Sequence, residues 1–326
     1  MSRLATPARG DHPAPPRLPM AERLRRFLSC YWLRPENALW MTLRSQVLDA
    51  YRFELPSLDL SCGDGVFSFL HAGGALDEDF DVFRTVGQLD NVRTQHADMF
   101  DHVDPSYAPR IVEPPRWRMT TGTDHKPALL AKAATLGFYD ELVEADHNRP
   151  LPLPTGRYRT VFSNSIYWVS RIELHLSEIR RLAAPQAVVL LQVKLDSIRD
   201  YTLARHEPAL GRNWLDLIGR GRFETWPTMG SLADWQRRFE GAGFAIRDVL
   251  PFVTRTHAHI WDIGLRPLAP LLVRMANSLE PATRRSVKRD WVELLTELLL
   301  PFARPDCDLF AERGEPAEVL FVLTRR

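Results

Sequence analysis

The sequence predicts an α/β fold, a parallel sheet flanked by helices on both faces. Three observations carry this. Short apolar segments alternate with helical ones from Ser57 to Leu195. The first of them, Ser57–Cys62, runs into a glycine turn, Gly63-Asp64-Gly65, which then opens a helix. Polar residues stand where successive strands end, at Asp124, Asp146 and Asn164.

Residues 1–20 carry five prolines and no apolar core, and read as a disordered leader. From 21 to 51 the text is helical. Leu39, Leu43, Val47 and Leu48 recur at three-and-four spacing. Arg34-Pro35-Glu36-Asn37 punctuates this cover into two segments, with Asn37 as N-cap. A sheet-building α/β region is expected over 52–256. In it, strands at 116–124, 141–146, 160–164 and 187–195 alternate with helices at 127–138 and around Ile172, Leu176, Ile179 and Leu182. A Ser231-capped helix and a strand over 244–253 follow. Residues 257–315 read as a helical elaboration, and 316–326 as a terminal strand returning to the sheet.

About 60 residues separate Gly65 from Asp124, roughly twice what a simple strand–helix–strand unit uses. The excess, about 75–115, is acidic and aromatic and reads as a lid inserted over the sheet's ligand edge.

Composition narrows the function. Lys and Arg total 42 against 41 Asp and Glu, so nothing in the bulk charge favours nucleic acid. Arg23, Arg25 and Arg26 read as the solvated face of a helix. The three cysteines, Cys30, Cys62 and Cys307, form no paired motif and fit a reducing cytoplasm. No run approaches the roughly 18 apolar residues of a membrane span. His257 and His259 have strand spacing that suits a metal, but no third ligand accompanies them, so no metal site is assigned.

The glycine turn lets backbone approach a ligand, and the helix start supplies N–H donors. A carboxylate at the next strand end, Asp124, suits the vicinal hydroxyls of a ribose. As an N-cap of the following helix it has an alternative reading. Ala145-Asp146-His147 offers an apolar wall with polar atoms, as an adenine requires. All these positions lie at carboxyl ends of parallel strands, where open α/β sheets bind ligands.

Over about residues 52–196 the chain resembles the class I S-adenosylmethionine-dependent methyltransferases, which have a Rossmann-like sheet. LDLSCGDGVF is similar to that family's first glycine motif, with Ser61 where a glycine is usual. GTDHKPALLAKAATLGFYDELVEADHNRPLPLPTGRYRTVFSNSIYWV resembles the run from the ribose strand to the fourth-strand motif, and SEIRRLAAPQAVVLLQV continues it. The resemblance implies S-adenosylmethionine as cofactor. Asp59, Ser61, Cys62, Gly63 and Gly65 would line its methionine side. Asp124 would bind the ribose, His125 would also touch the cofactor, Asp146 with His147 would flank the adenine, and Asn164 would stand beside the sulfonium.

Asn164, Tyr167, Trp168 and His147 are the candidates for catalysis, Tyr167 and Trp168 as aromatic faces toward a sulfonium or as core. Tyr31, Trp32, Trp40 and Arg44 read either as a closing lid or as helix packing. His71, His96 and Asp98 join His147 as candidate bases. The expected activity is methyl transfer to a small-molecule or glycan biosynthetic intermediate. A cyclase or aminocarboxypropyl transferase releasing methylthioadenosine, as in azetidine-2-carboxylate formation, is the alternative. A catalytically silent cofactor-binding module is the third reading. The expected partner is a small molecule, with neither nucleic acid nor membrane.

Overall fold

The computed structural model describes residues 18–86, 99–219, 226–262, 266–310 and 314–326. The chain begins with α1 (Met20–Tyr31) and α2 (Pro35–Val47), then enters the sheet with β1 (Ser57–Leu60) and α3 (Val66–His71). The short strands β2 (Ala75–Leu76) and β3 (Ile111–Glu113) pair antiparallel as a separate ribbon. Next come β4 (Met119–Asp124), α4 (Pro127–Thr135), β5 (Tyr139–Glu144), β6 (Tyr158–Ser163), α5 (Ile172–Leu182) and β7 (Ala183–Lys194). Four short helices follow, α6 (Ile198–Tyr201), α7 (Glu207–Leu210), α8 (Arg212–Gly219) and α9 (Leu232–Gly241). The last part comprises β8 (Phe244–Val253), α10 (Arg255–Asp262), α11 (Ala269–Asn277), α12 (Pro281–Leu299) and β9 (Glu318–Arg325).

The main sheet has seven strands in the order β5-β4-β1-β6-β7-β9-β8, a Rossmann-like arrangement with flanking helices. β1 pairs parallel with β4 and β6, β4 with β5, and β6 with β7. The terminal strand returns to the sheet as expected, but runs antiparallel between β7 and β8. Lys194 at the end of β7 and Val253 at the end of β8 both align with Glu318, the first residue of β9. The chain thus reaches β9 from the carboxyl edge of its neighbours and has to run against them.

Central strands are buried on both faces, which is why β7 and β9 read as continuous apolar runs. Helix starts follow local rules. Pro35, Pro127 and Pro281 occupy the first turns of α2, α4 and α12, where a missing N–H costs nothing. Ser231 and Asp234 cap α9 reciprocally, side chain to backbone N–H at 3.2 and 2.9 Å.

Three expectations need correction. Asn37 lies inside α2, because Pro35 begins that helix two residues earlier and Arg34 stands at its N-cap. Of the three N-terminal arginines only Arg25 is exposed. Arg23 is buried on Asp49 at 2.8 Å, and Arg26 donates to Gly73 O and Gly74 O and pairs with Glu113. His257 and His259 lie on helix α10, about 200° apart around its axis, so they point away from each other. His257 bonds Thr254 N–H and Phe302 O, while His259 packs on Phe310.

Within the predicted insertion, residues 75–86 and 99–115 are described, while His96 and Asp98 lie outside the described residues. No helix among the described residues is long and apolar enough to cross a membrane.

Candidate functional site

The glycine turn after β1 takes the form its residues dictate. Ser61, Gly63 and Gly65 all have positive φ, at 61, 59 and 76°. A Cβ on Gly63 would meet nothing within 4 Å, so its backbone borders open space where a ligand can approach. Gly65 is different. A Cβ there would press on Tyr139, Ala133 and Leu136 at 3.1–3.3 Å, so this glycine lets α3 close on α4 and β5. Cys62 is buried, with its sulfur 3.0 Å from where a Cβ on Gly122 would lie, and burial raises its thiol pKa well above the ordinary value.

The neighbouring strand ends are tied to this turn. Asp124 is buried and accepts from Gly63 N–H at 3.1 Å and from Lys126 N–H at 3.0 Å. The N-cap reading does not hold, because Lys126 stands at the N-cap of α4 and Asp124 bonds that residue's own N–H two positions on, ahead of the helix. His125 is exposed, its Nδ1 3.5 Å from Asp124. Asp59 turns inward, its Oδ2 accepting from Ser68 Oγ at 2.5 Å and Tyr139 OH at 2.7 Å. Burial pushes its carboxyl up to about 6, with those two hydroxyls opposing the shift. Asp59 supports the turn from beneath.

His147 is buried beside the turn. Its Nδ1 lies 2.8 Å from Ser61 Oγ and its Nε2 3.0 Å from Thr123 Oγ1. Burial lowers its pKa to about 4, so the ring is neutral at pH 7 with both nitrogens engaged. The ring stacks on His175 at 5.0 Å. Asp146 is exposed and accepts from Asn148 N–H at 2.9 Å, the bond that does most to keep its carboxyl below the ordinary range.

Ser61 holds a conformation that glycine adopts freely and a side chain resists. Ser61→Gly and Ser61→Ala both remove the His147 bond, but only alanine keeps a Cβ in the left-handed region. The glycine variant is expected to be more stable than the alanine variant by about 1 kcal/mol in urea unfolding. Equal stabilities would mean that the turn stores no strain at Ser61.

At the end of β6, Asn164 is half-buried, and Ser165 Oγ is buried without a hydrogen-bond partner. The aromatic pair divides. Trp168 is 48% exposed, whereas Tyr167 is buried with its hydroxyl accepting from Arg44 at 3.0 Å. Arg44 and Trp40 of the cover reach past Tyr167 to Glu318. Trp32 packs edge-on against Trp291. His71 bonds Ser45 and sits among Phe53, Phe67 and Trp117, and burial depresses its pKa to about 3.

The structure thus brings Ser61, Gly63, Asp124 and His147 together, and sets Asp59, Cys62 and Gly65 behind them. Thr123 and His175 escaped the sequence reading. His175 is buried with neither ring nitrogen partnered. A histidine within an otherwise amphipathic helix was the only available signal for it.

No protein-family model matches the chain, and no curated protein does. Among solved structures, the chain is similar to a possible histamine N-methyltransferase of Thermotoga maritima, described as S-adenosylmethionine-dependent. The identity is 11%, the TM-score 0.47, and the match covers 92% of this chain and 99% of that one. A putative methyltransferase in complex with the Haloferax volcanii Trm112 activator matches at 14% identity and TM-score 0.46, over 93% and 97% of the two chains. The [4+2]-cyclase SpnF matches at 12% and 0.45, over 89% and 81%. Scores and identities this low carry no weight here. The fold rests on the strand order and register above.

Proposed function

We propose that the chain binds S-adenosylmethionine across the ends of β1, β4, β5 and β6 and transfers its methyl group to a small-molecule or glycan intermediate, in a reducing cytoplasm. The observation that carries this reading is the linked set of strand ends, Gly63 to Asp124 and Ser61 to His147, around open space at Gly63.

These residues suit the cofactor. A carboxylate has about four lone-pair directions, so Asp124 keeps acceptors for two ribose hydroxyls beyond its two backbone bonds. Asp146, ionised and exposed, offers an acceptor for the adenine amine. The unpartnered Ser165 hydroxyl next to Asn164 marks a polar position at the fourth strand end. His147, neutral and held at both nitrogens, is suited to wall the adenine side rather than to take a proton. When bound, S-adenosylmethionine supplies an electrophilic methyl on a sulfonium. The protein's part is then to orient the acceptor in line with it and exclude water.

Thermal unfolding with the cofactor or S-adenosylhomocysteine tests the reading. Ligand at about 100 times Kd adds about 2.7 kcal/mol to the folded state, so the melting temperature is expected to rise with concentration. If neither compound raises it, the reading fails. Methylthioadenosine appearing without acceptor would move the chemistry from the methyl to the aminocarboxypropyl group.

A further inference from the structure

The insertion between α3 and β4 is held from two sides. On one side Asp81, buried, takes two hydrogen bonds from Arg284 of α12 at 2.7 and 3.1 Å, and Lys288 donates to Phe80 O at 2.7 Å. Val82 N–H donates to Cys30 O near the end of α1, at 3.1 Å. On the other side α4 holds residues 100 and 101. Lys132, buried, donates to Phe100 O at 2.7 Å, and the Lys126 ammonium meets both Asp101 oxygens at 2.7 and 2.8 Å. The two sides pack on each other. Phe83 lies against Phe100 and Phe80 against Tyr107, with ring centroids 5.8 and 5.6 Å apart, and Asp77 pairs with Arg110.

Between these anchorages lies α3. Its Phe67 ring packs on Phe27 of α1 at 5.9 Å, and a Cβ on Gly65, its N-cap, would stand 3.3 Å from Ala133 of α4. A segment bonded to both α1 and α4 therefore passes over α3. Lys126 sets that crossing at the ligand edge, because it is the N-cap of α4, two residues beyond the end of β4.

Lys126 also touches the glycine-turn network. Its backbone N–H donates to Asp124 Oδ1 at 3.0 Å, and Asp124 Oδ2 accepts from Gly63 N–H. One residue thus ties the carboxylate assigned to the ribose, through its backbone, to the inserted segment, through its ammonium. The Lys126 and Asp101 side chains are 18% and 26% exposed, so their pair adds little to global stability. It acts locally, on where residues 100 and 101 sit.

We propose that Asp101 is a positioning residue for the cofactor. Through Lys126 it seats the inserted segment over the edge formed by Gly63 and Asp124, and so slows cofactor release. This rests on the cofactor-binding reading above.

Surface plasmon resonance of S-adenosylhomocysteine over the immobilised full chain gives both rate constants. Asp101→Asn and Lys126→Met are each expected to raise the off-rate about fivefold without lowering the on-rate, the double variant no more than either alone. Lys126→Met keeps the backbone N–H on Asp124, so the ribose carboxylate is untouched, and it cuts the pair from α4 if Asp101→Asn does not fold. Lys126→Arg keeps the charge and should keep the parent off-rate. Raising salt from about 0.1 to about 1 M should speed release from the parent and not from the double variant. A merely structural pair would instead lower the melting temperature of the ligand-free chain and leave these rates alone; the variants are expected to melt within about 3 °C of the parent. A parent that binds while every variant releases at the parent rate, or a double variant with additive effects, overturns this inference alone. A parent that does not bind S-adenosylhomocysteine overturns the cofactor reading and this inference with it.

Discussion

Replacing Glu318 with alanine is expected to cost roughly 3–5 kcal/mol of stability, the range for removing one partner of a buried ionic network. Glu318 is fully buried at the head of β9. It accepts from Trp40 Nε1 at 2.5 Å, from Arg44 Nε at 2.9 Å and again through Arg44 Nη2, and from Lys194 Nζ at 3.3 Å. The Lys194 ammonium lies over four aromatic rings, 4.0 Å from the centroid of Trp40 and 5.0–5.5 Å from those of Tyr167, Trp261 and Trp226. The rings stabilise that cation, and the carboxylate neutralises charge that solvent does not reach. Alanine leaves Arg44 and Lys194 buried without the carboxylate they share. It also releases α2, whose Trp40 and Arg44 both end on Glu318. Thermal unfolding should show a fall on the order of 10 °C. Glu318→Gln, which keeps the shape and one acceptor, should fall between alanine and the parent. A loss below about 1 kcal/mol for alanine would mean that this network does not hold the cover.

Asp124→Asn is expected to weaken S-adenosylhomocysteine binding about 100-fold while leaving the fold intact. The carboxylate serves Gly63 N–H with one oxygen and Lys126 N–H with the other. The amide retains only one acceptor atom, so either the turn or the helix start loses its partner. The NH₂ group also cannot accept from a ribose hydroxyl. Hydrogen bonds to charged groups contribute about 1.5–3 kcal/mol each, and 2.7 kcal/mol corresponds to the stated factor. Isothermal titration of parent and variant measures it directly. Equal dissociation constants would remove Asp124 from the ribose role.

Much of the cofactor edge was legible because its signals are local. A buried strand shows as a short apolar run, a glycine turn shows its residue types, and Asp124, Asp146 and Asn164 each close a strand segment in the sequence. What each side chain does there was less legible. Asp59 and Asp124 read alike as strand-end carboxylates. Asp59 faces inward because Ser68 and Tyr139, 9 and 80 residues away, supply hydroxyls to it. Gly63 and Gly65 also look interchangeable, yet one borders open space and at the other a Cβ would crowd Tyr139 and Leu136. His147 read as a ligand contact or a base, and proved to be bonded at both nitrogens by Ser61 and Thr123.

The box around Lys194 shows the limit most clearly. Its rings come from α2, from the turn after β6, from the residues before α9 and from α10, and its carboxylate from the last strand. Lone charges inside the apolar runs around Lys194 and Glu318 were the only hint. A charge so placed is costly unless paired, and periodicity does not name the partner.

By itself the sequence determined the alternation of strands and helices, the glycine turn and the polar residues that end the strands. These follow from backbone conformation and side-chain period over a few neighbouring residues. Tertiary structure alone decided that the last strand runs antiparallel beside β7, that Trp40 and Arg44 anchor on Glu318, and that Arg284 of α12 holds Asp81. Those facts depend on which distant segments share a desolvated space, where an unpaired charge or hydroxyl has to find its partner across the fold.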